Sequence, residues 1–387
     1  MECYNRVMIK RSAEKTIKGY LKKNKRIIVI FGARQVGKTT LLESVFKKTP
    51  DTIWYSGDNV STQELFSRAD LNDLAPLVKG YKTVIIDEAQ RIEDIGIKLK
   101  ILQDNFGDKI QIVATGSSSF DLANKVNEPL TGRKRTITLF PLAVSELLNE
   151  YGYAHEKINL ANRLVFGSYP AVVTGLEDAK ETITELASEN LFKDILNLGE
   201  IIKTDKLRKI LQALAMQVGS QVSMSEIGQL VGLDSKTVDK YIALLEQSFI
   251  IFRLPSFARN LRNELKASQK IFFVDCGIRN AISADFRPID LRPDLGSLFE
   301  NYVISELKKR FPNDNIYFWR NKNQQEIDYV IEKNGEITAI EVKWNEKKAG
   351  KLPSSFVETY HPAHSFTITS ENYLDILGGD VLGYLDN

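Results

Sequence analysis

The chain reads as an α/β protein organised around a parallel sheet, followed by a winged-helix segment and a second, smaller α/β block. Three features carry that reading. Short apolar runs alternate with helical stretches over residues 26–116, the pattern of strand, crossover helix and parallel strand. A glycine-rich phosphate loop directly follows the first run. Beyond residue 280 strands return, with a hairpin turn signal at Asn334-Gly335.

Each element follows in order. Residues 1–26 hold nine basic side chains against Glu2 and Glu14, and Ile17, Tyr20 and Leu21 are spaced like one helix face. This segment is either a solvated helix leading into the first strand or a contact for nucleic acid or another subunit. RIIVIFG (26–32), TIWYSG (52–57), TVIIDE (83–88) and IQIVATG (110–116) are the strands. PLAVSELLNEY and ETITELASENLFKDIL, within 136–200, are amphipathic helices. Residues 206–275 contain a short helix, a turn at Gly232-Leu233 and a second helix capped by Asp234 or Ser235. Phe249–Leu254 and Lys270–Val274 are the wing strands. The stretch 253–270 carries Arg253, Arg259, Arg262, Lys266 and Lys270 against Glu264 alone. The last block has a helix over Leu298–Lys309 and the strands NIYFWRN, EIDYVIEK and ITAIEVKW.

Composition narrows the function classes. The 387 residues suggest two or three domains at roughly 100–200 residues each. With 26% charged and 43% hydrophobic residues, a disordered or fibrous chain is excluded. The net charge of +2 points to no partner, so only local patches are informative. Cys3 and Cys276 are too few and too distant for a disulfide framework or a cysteine zinc site, which fits a reducing cytoplasm. His361 and His364 lack partner ligands and are read as surface residues. MECYNRVMIKRS has no apolar core, so no secretory signal is expected. No apolar run approaches the ~18 residues of a membrane span. A cytoplasmic protein without a membrane partner is expected.

Gly32-Ala33-Arg34-Gln35-Val36-Gly37-Lys38-Thr39-Thr40 matches G-x-x-x-x-G-K-S/T. The glycines let backbone N–H groups turn to phosphate, and the following helix N-terminus adds partial positive charge. Lys38 is expected on the β- and γ-phosphates of ATP, and Thr39 on Mg²⁺. Val84-Ile85-Ile86 carry Asp87 and Glu88 to the carboxyl end of a strand, where ligands bind in open α/β sheets. Asp87 is expected to hold Mg²⁺ and Glu88 to polarise the attacking water. Thr115 or Ser117, ending the next strand, is expected near the γ-phosphate or the water. That strand is expected to lie between the other two. Arg133, and after it Arg135, is the candidate cation for the transition state, a charge often delivered by a neighbouring subunit.

A second set of residues lies near the C-terminus. Glu341 and Lys343 are two apart on a strand and share one face. Asp328 precedes Glu341 on the paired strand of the hairpin, and Glu300 lies on the preceding helix. Asp328, Glu341 and Glu300 are expected to hold Mg²⁺, with Lys343 orienting water or stabilising developing charge. The competing reading is a structural Glu–Lys pair.

GARQVGKTTLL, VIIDEAQ, ATGSSS, LTGR, FPLAVSEL and GSYPAVV resemble a prokaryotic AAA-type ATPase family. LGSLFENYVISEL and FWRNKNQQEIDYVIEKNGEITAIEVKW resemble its C-terminal domain of uncharacterised function, related to PD-(D/E)XK nucleases. The nuclease half-motif is here Ile327-Asp328, without its proline. The resemblance implies an AAA-type P-loop ATPase domain over 1–145, a helical lid over 146–205, a winged helix over 206–275 and a restriction-endonuclease-like α/β domain over 276–387. It also implies homo-oligomers, in rings for ATPases of this class. The expected activity is ATP hydrolysis with Mg²⁺, coupled to DNA binding or processing. The alternative is a nucleotide-controlled oligomeric switch whose C-terminal nuclease fold is inactive and binds DNA or protein.

Overall fold

The computed structural model describes residues 8–385 except 24–25, 47–49, 69, 118–128, 176–177, 197–202, 258–268 and 349. Cys3, Arg6, Lys25, Ser118, Arg259, Arg262, Glu264 and Lys266 lie outside the described residues. The chain forms two compact units: residues 1–140 with 190–200 and 247–249, and the remainder.

The first unit is built on five parallel strands: β1 Ile27–Phe31, β2 Thr52–Ser56, β3 Thr83–Asp87, β4 Gln111–Gly116 and β5 Lys134–Thr138. Their spatial order is β2-β3-β4-β1-β5. Strands covered on both faces read as unbroken apolar runs rather than alternating ones, and every residue of β1 is buried. Val113 of β4 pairs with Ile28 on one side and Ile85 on the other. The four expected strands form as read, with β4 between β1 and β3. The fifth strand was not expected, because Lys134 and Arg135 open it with two charges.

Helices Leu71–Val78 and Ile95–Phe106 cover this sheet. Leu74, Val78, Leu99 and Leu102 pack with Val84, Ile86 and Ile112. Full burial of each such side chain contributes about 1.5–3 kcal/mol. The basic N-terminal segment forms a helix over Ala13–Leu21 with Ile17 buried. Its Tyr20 ring receives the Arg135 guanidinium at 4.7 Å.

In the second unit, helices Val144–Tyr151 and Tyr153–Phe166 come first. A run of small elements follows: helix Thr204–Met216, β6 Gln221–Val222, helix Met224–Val231, helix Ser235–Gln247, β7 Ile251–Pro255 and β8 Gln269–Phe273. These strands form an antiparallel sheet of order β6-β8-β7. Gly232 ends the Met224–Val231 helix at φ 68°. Asp234 is the cap of the next one, its carboxylate accepting from the Thr237 N–H at 3.0 Å.

Helix Leu295–Arg310 then packs beside a four-stranded sheet of β9 Asn315–Arg320, β10 Glu326–Lys333, β11 Glu336–Lys343 and β12 His364–Thr369. The order is β12-β11-β10-β9, with only the β11–β12 pair parallel. Asn334 and Gly335, at φ 53° and 82°, make the tight turn that two positive φ values define. The β9–β10 register shifts between Ile327 and Val330, at Asp328. Such irregularities re-aim a side chain.

A buried aspartate organises part of this unit. Asp275 caps helix Cys276–Ser283 by accepting from Gly277 N–H at 2.8 Å and Ile278 N–H at 3.2 Å. It also accepts from Ser168 N–H at 2.7 Å, which ties down the GSYPAVV segment. Burial pushes its carboxyl above the ordinary range, while these donors oppose that shift. Only glycine fits at Gly277, where a Cβ would lie 2.1 Å from the Phe166 carbonyl oxygen. Overpacking of this kind costs about 1–3 kcal/mol. Gly277→Ala is therefore expected to lower Tm by a few degrees in thermal denaturation followed by circular dichroism. An unchanged Tm would show that this backbone contact yields freely.

Candidate functional site

Two polar centres stand out, one in each unit. The first lies at the carboxyl ends of β1 and β3. The chain leaves β1 at Gly32, where a Cβ would lie 2.3 Å from the Leu139 carbonyl oxygen, so a side chain there would force the loop off the sheet. Ala33 to Val36 form the turn, with Gln35 at φ 60°. Gly37, at φ 95°, then opens the helix Lys38–Val45. Left-handed residues in such a turn bring backbone N–H groups to one side, an arrangement that suits an anion. Arg34 and Thr40 complete the expected loop, with Arg34 half-buried and Thr40 exposed.

Lys38 is buried among the loop's own carbonyls, donating to Gly32 at 3.0 Å and Ala33 at 3.1 Å. Its ammonium lies 3.7 Å from Glu88. The Thr39 hydroxyl donates to Asp87 Oδ2 at 2.8 Å. Thr115 donates to the other Asp87 oxygen and accepts from the Glu88 N–H at 3.0 Å. Its hydroxyl thus supports the acidic pair. Ser117 accepts from Gln90 Nε2 at 3.1 Å, and the same nitrogen donates to Glu88 Oε2 at 2.6 Å. Glu88 adopts the left-handed conformation at φ 48°, a strain of about 1–3 kcal/mol for a non-glycine residue. It is held there by the Thr115 bond and by Arg91 N–H donating to its carbonyl at 3.0 Å.

Thr39 and Asp87 together present hard oxygen donors, the kind Mg²⁺ takes alongside phosphate oxygens and water. The residues therefore fit the ion that the loop implies. Arg133 does not reach this site within its own chain. Its backbone precedes β5, beside the amino end of β1, where its carbonyl accepts from Ile27 N–H at 3.0 Å. Its guanidinium binds Asp104 at 2.6 Å. Arg135 lies one step into β5, over Tyr20. Arg133 thus stands at the amino ends of the strands, away from the phosphate loop of its own chain.

Two residues escaped the sequence reading here. Arg11, in the basic N-terminal run, is buried and donates to the Val36 carbonyl at 2.7 Å and the Phe140 carbonyl at 2.6 Å. It thereby clamps the phosphate loop from behind. Gln90, two residues after Glu88, orients that carboxylate. The DEAQ string carried a signal for Gln90, whereas nothing in the charge run marked Arg11.

The second centre gathers Lys270 from β8, Glu300 from helix Leu295–Arg310, Glu326 and Asp328 from β10, and Glu341 and Lys343 from β11. Lys343 donates to Glu341 at 2.7 Å and to Asp328 at 3.2 Å. Asp328 also accepts from the Val342 N–H at 2.7 Å. Lys270, with a side chain only 1% exposed, donates to Glu300 at 3.0 Å and to Glu326. Carboxylate oxygens of Glu300, Glu326 and Asp328 all lie within 4.8 Å of one another. The trio differs from the expected Glu300, Asp328 and Glu341: Glu326 stands with the other two, while the Glu341 carboxylate accepts from Lys343. Glu326 was overlooked because it stands two residues before Asp328 at the strand's start, and Lys270 because it was counted as wing charge.

Burial first, and then the Asp328 charge, push the Glu341 carboxyl up to about 7 against the pull of Lys343. Burial likewise pushes Glu300 up to about 7 although Lys270 opposes it. Burial acts downward on Lys270, but Glu300 and Glu326 outweigh it and hold the ammonium above its ordinary range. As arranged, these carboxylates already have ammonium partners, and the set does not fit a Mg²⁺ ion.

A parallel five-stranded sheet with a phosphate loop after β1 and an acidic pair after β3 is the arrangement found in P-loop nucleotide-binding proteins. A family model described as an AAA domain matches residues 24–148. Two domains of unknown function, DUF8612 and DUF4143, match residues 157–288 and 295–380. An uncharacterized protein of Mycobacterium tuberculosis is 26% identical over 323 residues, covering 82% of this chain and 70% of its own length. One from Haemophilus influenzae is 27% identical over 309 residues, covering 76% and 71%. Among solved structures, a signal transduction ATPase with numerous domains and a tetratricopeptide repeat sensor, from Pyrococcus horikoshii, is 14% identical with a TM-score of 0.30. The match covers 79% of this chain and 46% of that one, so the chain spans less than half of that protein. Pif1 helicase from Candida albicans is 17% identical, covers 47% and 48%, and has a TM-score of 0.27. Among the described residues no helix is long and apolar enough to cross a membrane.

The raised Glu341 carboxyl carries a sign for stability. Its folded value near 7 exceeds the ordinary glutamate value, so the folded state binds the extra proton. That contribution is complete below the ordinary value and is lost as pH rises toward 7. Relative to wild type, Glu341→Gln is expected to gain Tm between about pH 5 and about pH 8, by a few degrees. Scanning calorimetry at both pH values checks this. A constant difference would mean that Glu341 titrates normally.

Proposed function

We propose that this chain binds and hydrolyses ATP with Mg²⁺ in its AAA domain and couples that cycle to DNA. The observation that carries the reading is the contact of Thr39 with Asp87 at 2.8 Å, beside Lys38 and Glu88 at 3.7 Å. In this reading the N–H groups of Gly32 to Thr40 cradle the phosphates, and Lys38 turns from its loop carbonyls to the β- and γ-phosphates. Thr39 and Asp87 hold the metal, whose bound charge offsets that of the phosphates. Glu88 takes the proton of the attacking water, with Gln90 fixing its direction and Ser117 holding Gln90. Arg11 keeps the loop seated.

The rest of the chain is read as the coupling machinery. The boundaries proposed are 1–145 for the ATPase domain, 146–205 for a helical lid, 206–275 for a winged helix and 276–387 for a PD-(D/E)XK-like domain. The helix-strand-helix-helix-strand-strand order and the β6-β8-β7 sheet support the winged helix. Lys236 and Lys240 are exposed on its second helix, where phosphates can be met. Asp239 between them is paired with Arg253 at 2.8 Å, which reduces its repulsion of DNA. The helix followed by β9, β10 and β11, with Asp328, Glu341 and Lys343 in contact, supports the nuclease-like fold. A cytoplasmic homo-oligomer, in a ring, completes the reading.

A second reading is a nucleotide-controlled oligomeric switch whose C-terminal fold binds DNA or protein without cutting. It is favoured by the ammonium partners that Lys270 and Lys343 give to the carboxylates.

Mg²⁺-dependent ATP turnover, measured with and without DNA while DNA integrity is followed in the same tube, tests both. Turnover stimulated by DNA supports the coupling. Turnover indifferent to DNA, with the DNA intact, supports the switch. Lys38→Ala is expected to lower turnover by about 100-fold or more; full activity in that variant would overturn the nucleotide reading. Glu88→Gln is expected to retain nucleotide binding by fluorescence titration while losing hydrolysis to a similar degree.

A further inference from the structure

The C-terminal carboxylate centre contains its own cation. Glu300, Glu326 and Asp328 bring oxygens within 4.8 Å of one another, a crowding of like charge that a proton or a cation must relieve. Instead the Lys270 ammonium bonds two of the three, Glu300 and Glu326. The lysine is almost fully buried. It reaches the cluster from β8, a strand of the small antiparallel sheet and not of the sheet that carries Glu326 and Asp328. Phe272 and Phe318 flank the ammonium with ring centroids at 6.0 and 5.5 Å, so water is kept from its stem. On the far side, a Cβ on Gly219 would lie 2.9 Å from Glu300 Oε2. Gly219 just precedes β6, the strand that pairs with Lys270 through Gln221. The same small sheet therefore supplies both the cation and a wall of the centre.

We propose that Lys270 is the resident cation of this centre, held by the fold in the position a divalent metal would take, so that the β6-β8-β7 sheet keeps the carboxylates metal-free. The remaining acids are covered in the same manner. Lys343 spans Asp328 and Glu341, and Arg320 stands 3.6 Å from the outer oxygen of Glu326. A buried ammonium is tolerated only when paired this closely. A metal entering the same oxygens must first displace it. Metal affinity at the centre is thus set by where β8 holds its lysine. This inference rests on the carboxylate geometry and not on nucleotide hydrolysis.

Mn²⁺ titration followed by electron paramagnetic resonance tests it on the nucleotide-free full chain, with Asp87→Asn in every sample to silence the nucleotide site. The protein with Lys270 intact is expected to bind no Mn²⁺ at the centre tighter than about 1 mM. Lys270→Met, which keeps the stem and removes the charge, is expected to bind one Mn²⁺ at least about tenfold tighter, and added Asp328→Asn to abolish that gain. A folded Lys270→Met chain without the gain overturns the proposal. So does an intact-lysine chain that binds Mn²⁺ tightly and loses it on Asp328→Asn. This last comparison needs no Lys270 variant, so it decides the matter even where Lys270→Met fails to fold. Because Asp87 is absent throughout, failure here leaves the ATPase reading untouched, and loss of turnover in Lys38→Ala leaves this one untouched.

Discussion

The position of β4 between β1 and β3 is the constraint on which the nucleotide centre depends. Adjacent strands lie about 4.8 Å apart, so the phosphate loop and the acidic strand are separated by two such steps. That gap is wide enough for a loop of backbone amides and narrow enough for Thr39 to reach Asp87 at 2.8 Å. β4 also fills the gap chemically. Thr115 at its end binds Asp87 with its proton and Glu88 N–H with its lone pair. One hydroxyl thus orients both acids. The left-handed turn at Glu88 follows, because the chain must leave β3 while its first amide stays on β4.

The two polar centres solve the burial of charge in opposite ways. At the phosphate loop the carboxylates keep part of their surface in water, and Lys38 rests on backbone carbonyls that a phosphate can replace. It donates to the carbonyls of Gly32 and Ala33, and Glu88 stands 3.7 Å away. In the C-terminal unit the acids are crowded together, and burial, with the charge of Asp328 added, pushes two of them to about 7. Lys270 and Lys343 make the arrangement tolerable. Removing one partner of such a pair strands a charge and costs more than the pair contributes. The first centre is arranged for exchange of ligands, and the second is closed by its own side chains.

Asp275 shows how the same chemistry serves structure. It is buried like Lys270 but accepts from backbone N–H groups, at Ser168, Gly277 and Ile278. Its bonds join two segments more than a hundred residues apart. Gly167 and Gly277 make room for that junction, since a Cβ at Gly167 would lie 1.9 Å from the carboxylate. The GSYPAVV string was visible as a motif, but its purpose of supplying an amide to a distant aspartate was not.

What could be read from the residues alone was whatever depends on neighbours along the chain. The strands RIIVIFG, TIWYSG, TVIIDE and IQIVATG declare themselves because apolar runs must be buried on both faces. The loop from Gly32 to Thr40 does so because its glycines serve local backbone geometry. The Asn334-Gly335 turn places Asp328 beside Glu341 for the same reason. Other features needed the folded chain. Arg133 precedes β5 at the amino ends of the strands, where it pairs with Asp104. Arg11 and Lys270 looked like members of basic runs, and each proved to be a buried donor. Charge runs carry no period that separates an inward lysine from an outward one. The local code specifies which segments form and which backbone turns they take. Partnership between a cation and an acid dozens of residues away is settled only when burial removes water as the competing partner.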